Sequence, residues 1–215
     1  MKVIAFNGSP RKKFNTSLLL QKSLEGAQSV GADTELVHLY DIDFKGCTSC
    51  FACKVSNSKT YGKCTYKDGI LPFLEKASEA DAIIIGAPIY LGRISAETAA
   101  FMERLIFPFV SYPDYSSLAP KKSSTAMIYT MNVTEQEKNE YEYDTHFRTN
   151  ENFMKRTFGS CETMCSFNTL QGTENDYKRF GLRGTIEEKM QYRREHFEND
   201  LKNAFETGRR LAVKA

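Results

Sequence analysis

The chain has no run approaching the roughly 18 apolar residues of a membrane span. It also lacks any strong excess of one charge. Lys and Arg number 29 and Asp and Glu 27, a net charge of +2, which gives no support for a nucleic-acid surface. The dinucleotide fingerprint G-x-G-x-x-G is absent, and so is the Walker pattern G-x-x-x-x-G-K-[ST]. Neither of the common pyrophosphate-cradling loops is therefore expected. The three histidines, His38, His146 and His196, lie far apart without ligand spacing. No internal repeat or low-complexity linker is visible. The first residues open directly into a strand, with no charged n-region and apolar h-region, so no signal peptide is expected. With no membrane span either, the expectation is a cytoplasmic protein that binds neither membrane nor nucleic acid.

What is present is ordinary globular material, 41% hydrophobic and 26% charged. At 215 residues the expectation is one domain over 1–215. Six cysteines in a reducing compartment read as thiols or metal ligands rather than disulfides.

Strand and helix patterns alternate along the first half. Val3–Phe6 is a short apolar strand and Asn15 to about Val30 a helix ending at Gly31. Thr34–Leu39 is a second strand, and 41–66 is a long polar loop bearing cysteines. Ile70–Ala80 reads as helix. Residues 81–88 form a continuous apolar strand, the mark of burial on both faces. Ser95–Ile106 is helix and Thr125–Tyr129 the fourth strand. Residues 135–158 are helix-like at both ends, with a Tyr-rich middle of unassigned form. Glu162–Phe167 is the fifth strand, 168–184 a polar loop, and Thr185–Val213 a long charged helix. This alternation predicts an α/β fold, a doubly wound five-stranded parallel sheet of order 2-1-3-4-5 with helices on both faces. Ligands in such sheets sit beyond the carboxyl ends of the strands, at the switch point between strands 1 and 3.

Two segments flank that point. After strand 1, Asn7-Gly8-Ser9-Pro10 turns the chain, and Asn15-Thr16-Ser17 leads into Leu18-Leu19-Leu20. Strand, polar loop and helix start form a phosphate-binding geometry, because the first helical N–H groups are unpaired and the dipole favours an anion. With Gly8 its only glycine, the loop suits a phosphomonoester better than a pyrophosphate. An ordinary βα turn with a capped helix would carry similar residues. After strand 3, Pro88-Ile89-Tyr90-Leu91-Gly92 offers a fixed backbone, an aromatic face and a glycine for close approach. A flat ring system would dock there, although a strand-ending turn with a core tyrosine reads alike.

GSPRKKFNTSLLL, GCTSCFACK…GKC…KDGI and ADAIIIGAPIYLGRISAETAAFMERL, in this order, resemble the NAD(P)H-dependent FMN reductase family, in particular its iron–sulfur-flavoprotein-like branch. The resemblance covers about residues 1–108; beyond them only the general architecture matches. It implies a flavodoxin-like fold and bound FMN. The phosphate would lie on Ser9, Arg11, Asn15, Thr16 and Ser17. The isoalloxazine would lie on Pro88, Ile89, Tyr90, Leu91 and Gly92, with Thr130, Met131 and Asn132 as the third side. Phe14 stands where the family often has Gly. Ala99 or Ala100 stands where it often has Lys, and Glu103 where it often has Asp.

Cys47-x2-Cys50-x2-Cys53 is a compact triplet, and Cys64 follows after ten residues. Thiolates this close can converge on an Fe–S cluster or a zinc ion; free thiols or an oxidised pair are the other readings. The resemblance implies a [4Fe–4S] cluster on Cys47, Cys50, Cys53 and Cys64, with a last gap longer here than is typical of the branch. Cys161 and Cys165 read as small core residues.

The implied activity is an FMN-dependent oxidoreductase. It takes hydride from NAD(P)H and passes electrons to a small-molecule acceptor such as a quinone or flavin. No residue is assigned as catalytic, since the flavin carries the chemistry. The alternatives are an iron–sulfur flavoprotein acting as an electron carrier, and a thiol or zinc redox sensor. The resemblance further implies a homodimer or homotetramer. Phe107, Phe109, Tyr112 and Tyr115 fit an interface, or else fill the chain's own core.

Overall fold

The computed structural model describes residues 1–214. In chain order its elements are β1 (Lys2–Asn7), α1 (Asn15–Gln28), β2 (Asp33–His38), α2 (Leu71–Glu79), β3 (Ala82–Tyr90), β4 (Arg93–Ile94) and α3 (Ala96–Ile106). There follow β5 (Ser124–Thr130), α4 (Glu135–Glu140), α5 (Asp144–Phe158), β6 (Glu162–Ser166), α6 (Glu174–Phe180), α7 (Ile186–Tyr192) and α8 (Glu198–Lys214). The strands β2-β1-β3-β5-β6 pair in parallel in that order. This is the order the alternation predicts. The sixth strand, β4, is a two-residue return that pairs antiparallel with the end of β3, Ile89 opposite Ile94.

The apolar run of β3 is buried on both faces. Ile83 and Ile85 pack with Phe6, Phe101, Leu105 and Phe158 under α2, α3 and α5. Ile84 faces the other way, onto Leu19, Leu20, Ala204 and Leu211 of α1 and α8. Two glycines bring α1 and α8 into backbone contact. A Cβ on Gly26 would stand 1.9 Å from the Phe205 carbonyl oxygen, and one on Gly208 1.7 Å from the Ser23 carbonyl oxygen. Only glycine permits that approach.

The C-terminal third differs from its sequence reading. Residues 168–184 are not all loop, because α6 begins there behind a capping box. Thr173 accepts from the Asp176 N–H, and Asp176 takes the Thr173 N–H in return. Gly181, at φ 58°, ends that helix. The Tyr-rich middle of 135–158 is a break between α4 and α5, with Glu142 at φ 54°. The expected long helix is present, but α7 joins α8 through a π-helical segment, Arg193–Phe197.

The loop 41–66 has little regular structure beyond one short turn of 3-10 helix at Ala52–Lys54. A buried arginine holds it instead. Arg104 of α3, 2% exposed, pairs with Asp68 at 2.7 Å and donates to the carbonyl oxygens of Lys45 and Tyr66.

Candidate functional site

The start of α1 is buried and uncapped. Asn15, Thr16 and Ser17 are all buried, and Phe14, at the N-cap, has no side chain that can accept a hydrogen bond. The first-turn N–H groups of any helix lack intrahelical partners, so this end is suited to an anion. The loop before it is held rigid. Asn7 Oδ1 accepts the Ser9 N–H at 3.1 Å, and Ser9 Oγ accepts the Arg11 N–H at 3.2 Å. Ser95 Oγ, which caps α3, donates to the Gly8 carbonyl at 2.7 Å. Gly8 must be glycine, since a Cβ there would stand 1.8 Å from Thr98 Oγ1.

A narrow cleft opens from this helix start, between the carboxyl ends of β1, β3 and β5. Ser9, Arg11, Asn15 and Thr16 line one end, Pro88, Ile89 and Tyr90 a second wall, and Thr130, Met131 and Asn132 a third. Thr16 and Thr130 share a hydroxyl–hydroxyl bond of 2.7 Å across its floor. The three segments named from sequence therefore meet in one place.

Three of the named residues lie outside the cleft lining. Ser17 is fully buried, and its hydroxyl accepts from Gln21 Nε2 at 3.2 Å. Leu91 (φ 51°) and Gly92 (φ 78°) form the two-residue turn between β3 and β4. Positive φ at both positions is the tight hairpin form, and it leaves Leu91 fully exposed at the tip.

The fourth wall comes from a segment with no sequence signal. Thr169, Leu170 and Gln171, after β6, cross the phosphate end. Asn15 Nδ2 donates to the Leu170 carbonyl at 2.8 Å, and Arg11 donates to that of Gln171. Two cations of the long C-terminal helix also reach the site's edge. Arg193, in the π segment, donates to Asn15 Oδ1 at 2.7 Å, and burial lowers its pKa. Lys189 binds Asn132 and Asn168 from behind. Read alone, both belong to a charged helix face, and only the π segment's phase brings them inward.

The four loop cysteines share a second, small cavity. Cys47, Cys50, Cys53 and Cys64 line it with Glu103, Arg104 and Phe107. Burial pushes the Cys53 thiol up, opposed by the neighbouring Lys54 ammonium. Arg104 Nε donates to Cys64 Sγ at 3.2 Å, and Glu103 accepts the Cys47 N–H at 3.0 Å. Among the described residues, no three His, Cys, Asp or Glu side chains stand close enough for one metal ion. Four thiols on one cavity are a donor set of the kind that takes a cluster or a zinc ion. Cys161 and Cys165 are partly buried against the core away from this cavity.

A doubly wound sheet with this helix start at its switch point defines a flavodoxin-like protein. More narrowly, the chain belongs to the NADPH-dependent FMN reductase family, whose model matches residues 1–133. It is 39% identical over 104 residues to an iron-sulfur flavoprotein of Methanocaldococcus jannaschii, covering 48% of this chain and 51% of that protein. It is 40% identical over 104 residues to an iron-sulfur flavoprotein of Archaeoglobus fulgidus, covering 48% of each. The chain thus spans about half the length of these curated relatives. Its fold is shared with an NAD(P)H:quinone oxidoreductase from Methanothermobacter marburgensis (TM-score 0.70, 15% identity, 98% of this chain and 96% of that one). An azoreductase from Bacillus anthracis is similar as well (TM-score 0.67, 14% identity, 98% and 99%).

Proposed function

We propose that the cleft binds FMN and that the protein is an oxidoreductase, taking hydride from NAD(P)H and passing electrons to a small acceptor such as a quinone or flavin. The observation that carries this reading is the buried, uncapped start of α1 opening onto a planar wall at the β1/β3 switch point. Family membership supports it. The N–H groups of residues 15–17 and the Ser9 hydroxyl would hold the phosphate. Pro88, Ile89 and Tyr90 would bear on one side of the ring, and Thr130, Met131 and Asn132 on another. FMN, when bound, supplies the hydride and electron chemistry. The chain's own residues bind, orient and exclude water. Tyr90, 46% exposed beside the Leu91 tip, leaves an approach for nicotinamide and then acceptor.

A second reading has its own observation. Four thiols share one cavity, which favours an iron–sulfur flavoprotein that carries electrons, with the cluster on Cys47, Cys50, Cys53 and Cys64. We place either activity in the cytoplasm, in keeping with six free thiols and with no described helix long and apolar enough to cross a membrane. A homo-oligomer is part of the proposal, with the exposed Tyr112 and Tyr115 as its candidate contacts, whereas Phe101 and Phe109 fill the chain's own core.

Protein purified without air decides between the readings. Flavin bands with NAD(P)H oxidation and no iron support the reductase. Iron and sulfide beneath the flavin bands support the carrier. A colourless protein that does not quench FMN fluorescence on titration refutes both.

A further inference from the structure

Lys189 is 4% exposed, yet its ammonium group has only neutral oxygens as hydrogen-bond partners. It donates to the Asn132 carbonyl at 3.2 Å, to Asn132 Oδ1 at 2.5 Å and to Asn168 Oδ1. Asn132 lines the cleft, and Asn168 directly precedes the segment 169–171 that closes its other end. One buried cation therefore ties two walls of the cleft together. Lysine is almost never fully buried unless it is paired, and hydrogen bonds alone do not cancel its charge. The nearby acids serve other groups. Glu188 accepts the Thr185 N–H at 3.0 Å, and Glu137 is bonded to Arg183. Both glutamates also close capping boxes, Glu188 at the start of α7 and Glu137 at that of α4, so neither is a hydrogen-bonded partner of the ammonium.

We propose that Lys189 is a positioning residue for the flavin site: through Asn132 it sets the ring-facing wall and gives it a positive charge that favours the reduced cofactor. This rests on the FMN reading above. Two-electron reduction with uptake of one proton leaves the ring one charge more negative, and a cation behind the wall that makes no ion pair stabilises that form. Burial and, to a lesser extent, Arg183 lower the pKa of Lys189 to about 8, against the opposing pull of Glu137 and Glu188. The ammonium is thus charged below about 8 and loses its proton as pH rises through that value. Its advantage to reduced FMN should fade over the same range.

The test compares wild type with Lys189→Met, Lys189→Arg and Asn132→Asp. Oxidised FMN affinity is read by fluorescence, and the potential of bound FMN by anaerobic reductive titration. Coupling between a buried charge and a second site commonly spans about 5–150-fold. Lys189→Met and Asn132→Asp, which remove or neutralise the charge, should weaken reduced FMN about tenfold relative to oxidised FMN. That is a potential lower by about 30 mV for a two-electron couple. Lys189→Arg should stay near wild type, and the gap between wild type and Lys189→Met should narrow above pH 8. Equal losses for oxidised and reduced FMN, leaving the potential unchanged, would overturn the proposal and leave only a structural role. Should Lys189→Met not fold, Lys189→Gln, which keeps a hydrogen-bonding group without the charge and adds none to the cleft wall, decides in its place. Wild type that binds no FMN overturns the functional reading itself, a distinguishable result.

Discussion

Substitutions at Phe14 should move stability and FMN affinity in opposite directions. The residue occupies the N-cap of α1 in an extended backbone (φ −114°, ψ −177°), and no side-chain cap is made. That backbone suits a capping residue without rearrangement. Phe14→Ala is the reference, because it loses the ring, over which Arg11 lies at 5.0 Å. Relative to Ala, Ser can accept the Thr16 or Ser17 N–H and stabilise the ligand-free protein by about 1 kcal/mol. For a chain this long that raises Tm by roughly 2–4 °C. Asp adds about 0.5 kcal/mol from the helix dipole. These are the N–H groups that the phosphate would use. Displacing the Ser cap should weaken FMN roughly fivefold. An Asp carboxylate about 4 Å from a phosphate charge opposes it by about 4 kcal/mol at an effective dielectric of 20. Even after screening, the loss should exceed about a hundredfold. Thermal melts of apo protein and fluorescence titrations give both series. If Ser and Asp raise Tm and yet bind FMN as Ala does, the phosphate does not sit at α1. If neither raises Tm, the N–H groups are not free, and the argument from the missing cap fails.

Gly26→Ala should cost about 1–3 kcal/mol by forcing α8 away from α1, since the atom met at 1.9 Å is backbone and cannot swing aside; wild-type stability in urea would refute that packing. Arg104→Met should cost about 3–5 kcal/mol by stranding Asp68, 12% exposed, without its partner. The double variant with Asp68→Asn should be less unstable than the sum of the two, and additivity would deny the pair. Light scattering of FMN-loaded protein should give a mass above the 24.5 kDa of one chain; a monomer would show that the site is completed within a single chain.

Particular residues explain what could be read in advance. The continuous run Ala82–Ala87 has no polar face, so a central parallel strand was legible, and with it the strand order. Asn15-Thr16-Ser17 after a turn marked the helix start. The wall 169–171 was not legible, because its part in the cleft rests on two backbone carbonyls that bind Arg11 and Asn15, and carbonyls carry no sequence signature. Helix α6 was missed because its capping box closes with Asp176 where Glu or Gln is the usual signal. Leu91 and Gly92 were legible as a turn but not as its tip, since the two-residue return of β4 is too short to leave a pattern. Lys189 and Arg193 look like any solvated helix charges until the phase of their helix is known.

That phase depends on length more than on residue type. A π turn winds one residue more into a helix than the α pitch holds. The segment Arg193–Phe197 therefore acts as a spacer between two halves that answer to different neighbours. α8 is fixed by the fit of Gly208 against α1, while α7 presents Lys189 to Asn132. Losing one residue from the spacer would turn the halves by about 100° relative to each other. With α8 locked, the whole rotation would fall on α7. Side-chain substitutions there can drift one at a time, but an insertion or deletion would re-aim both cations together. The count of residues between Lys189 and Gly208 is thus a setting of the cleft in its own right.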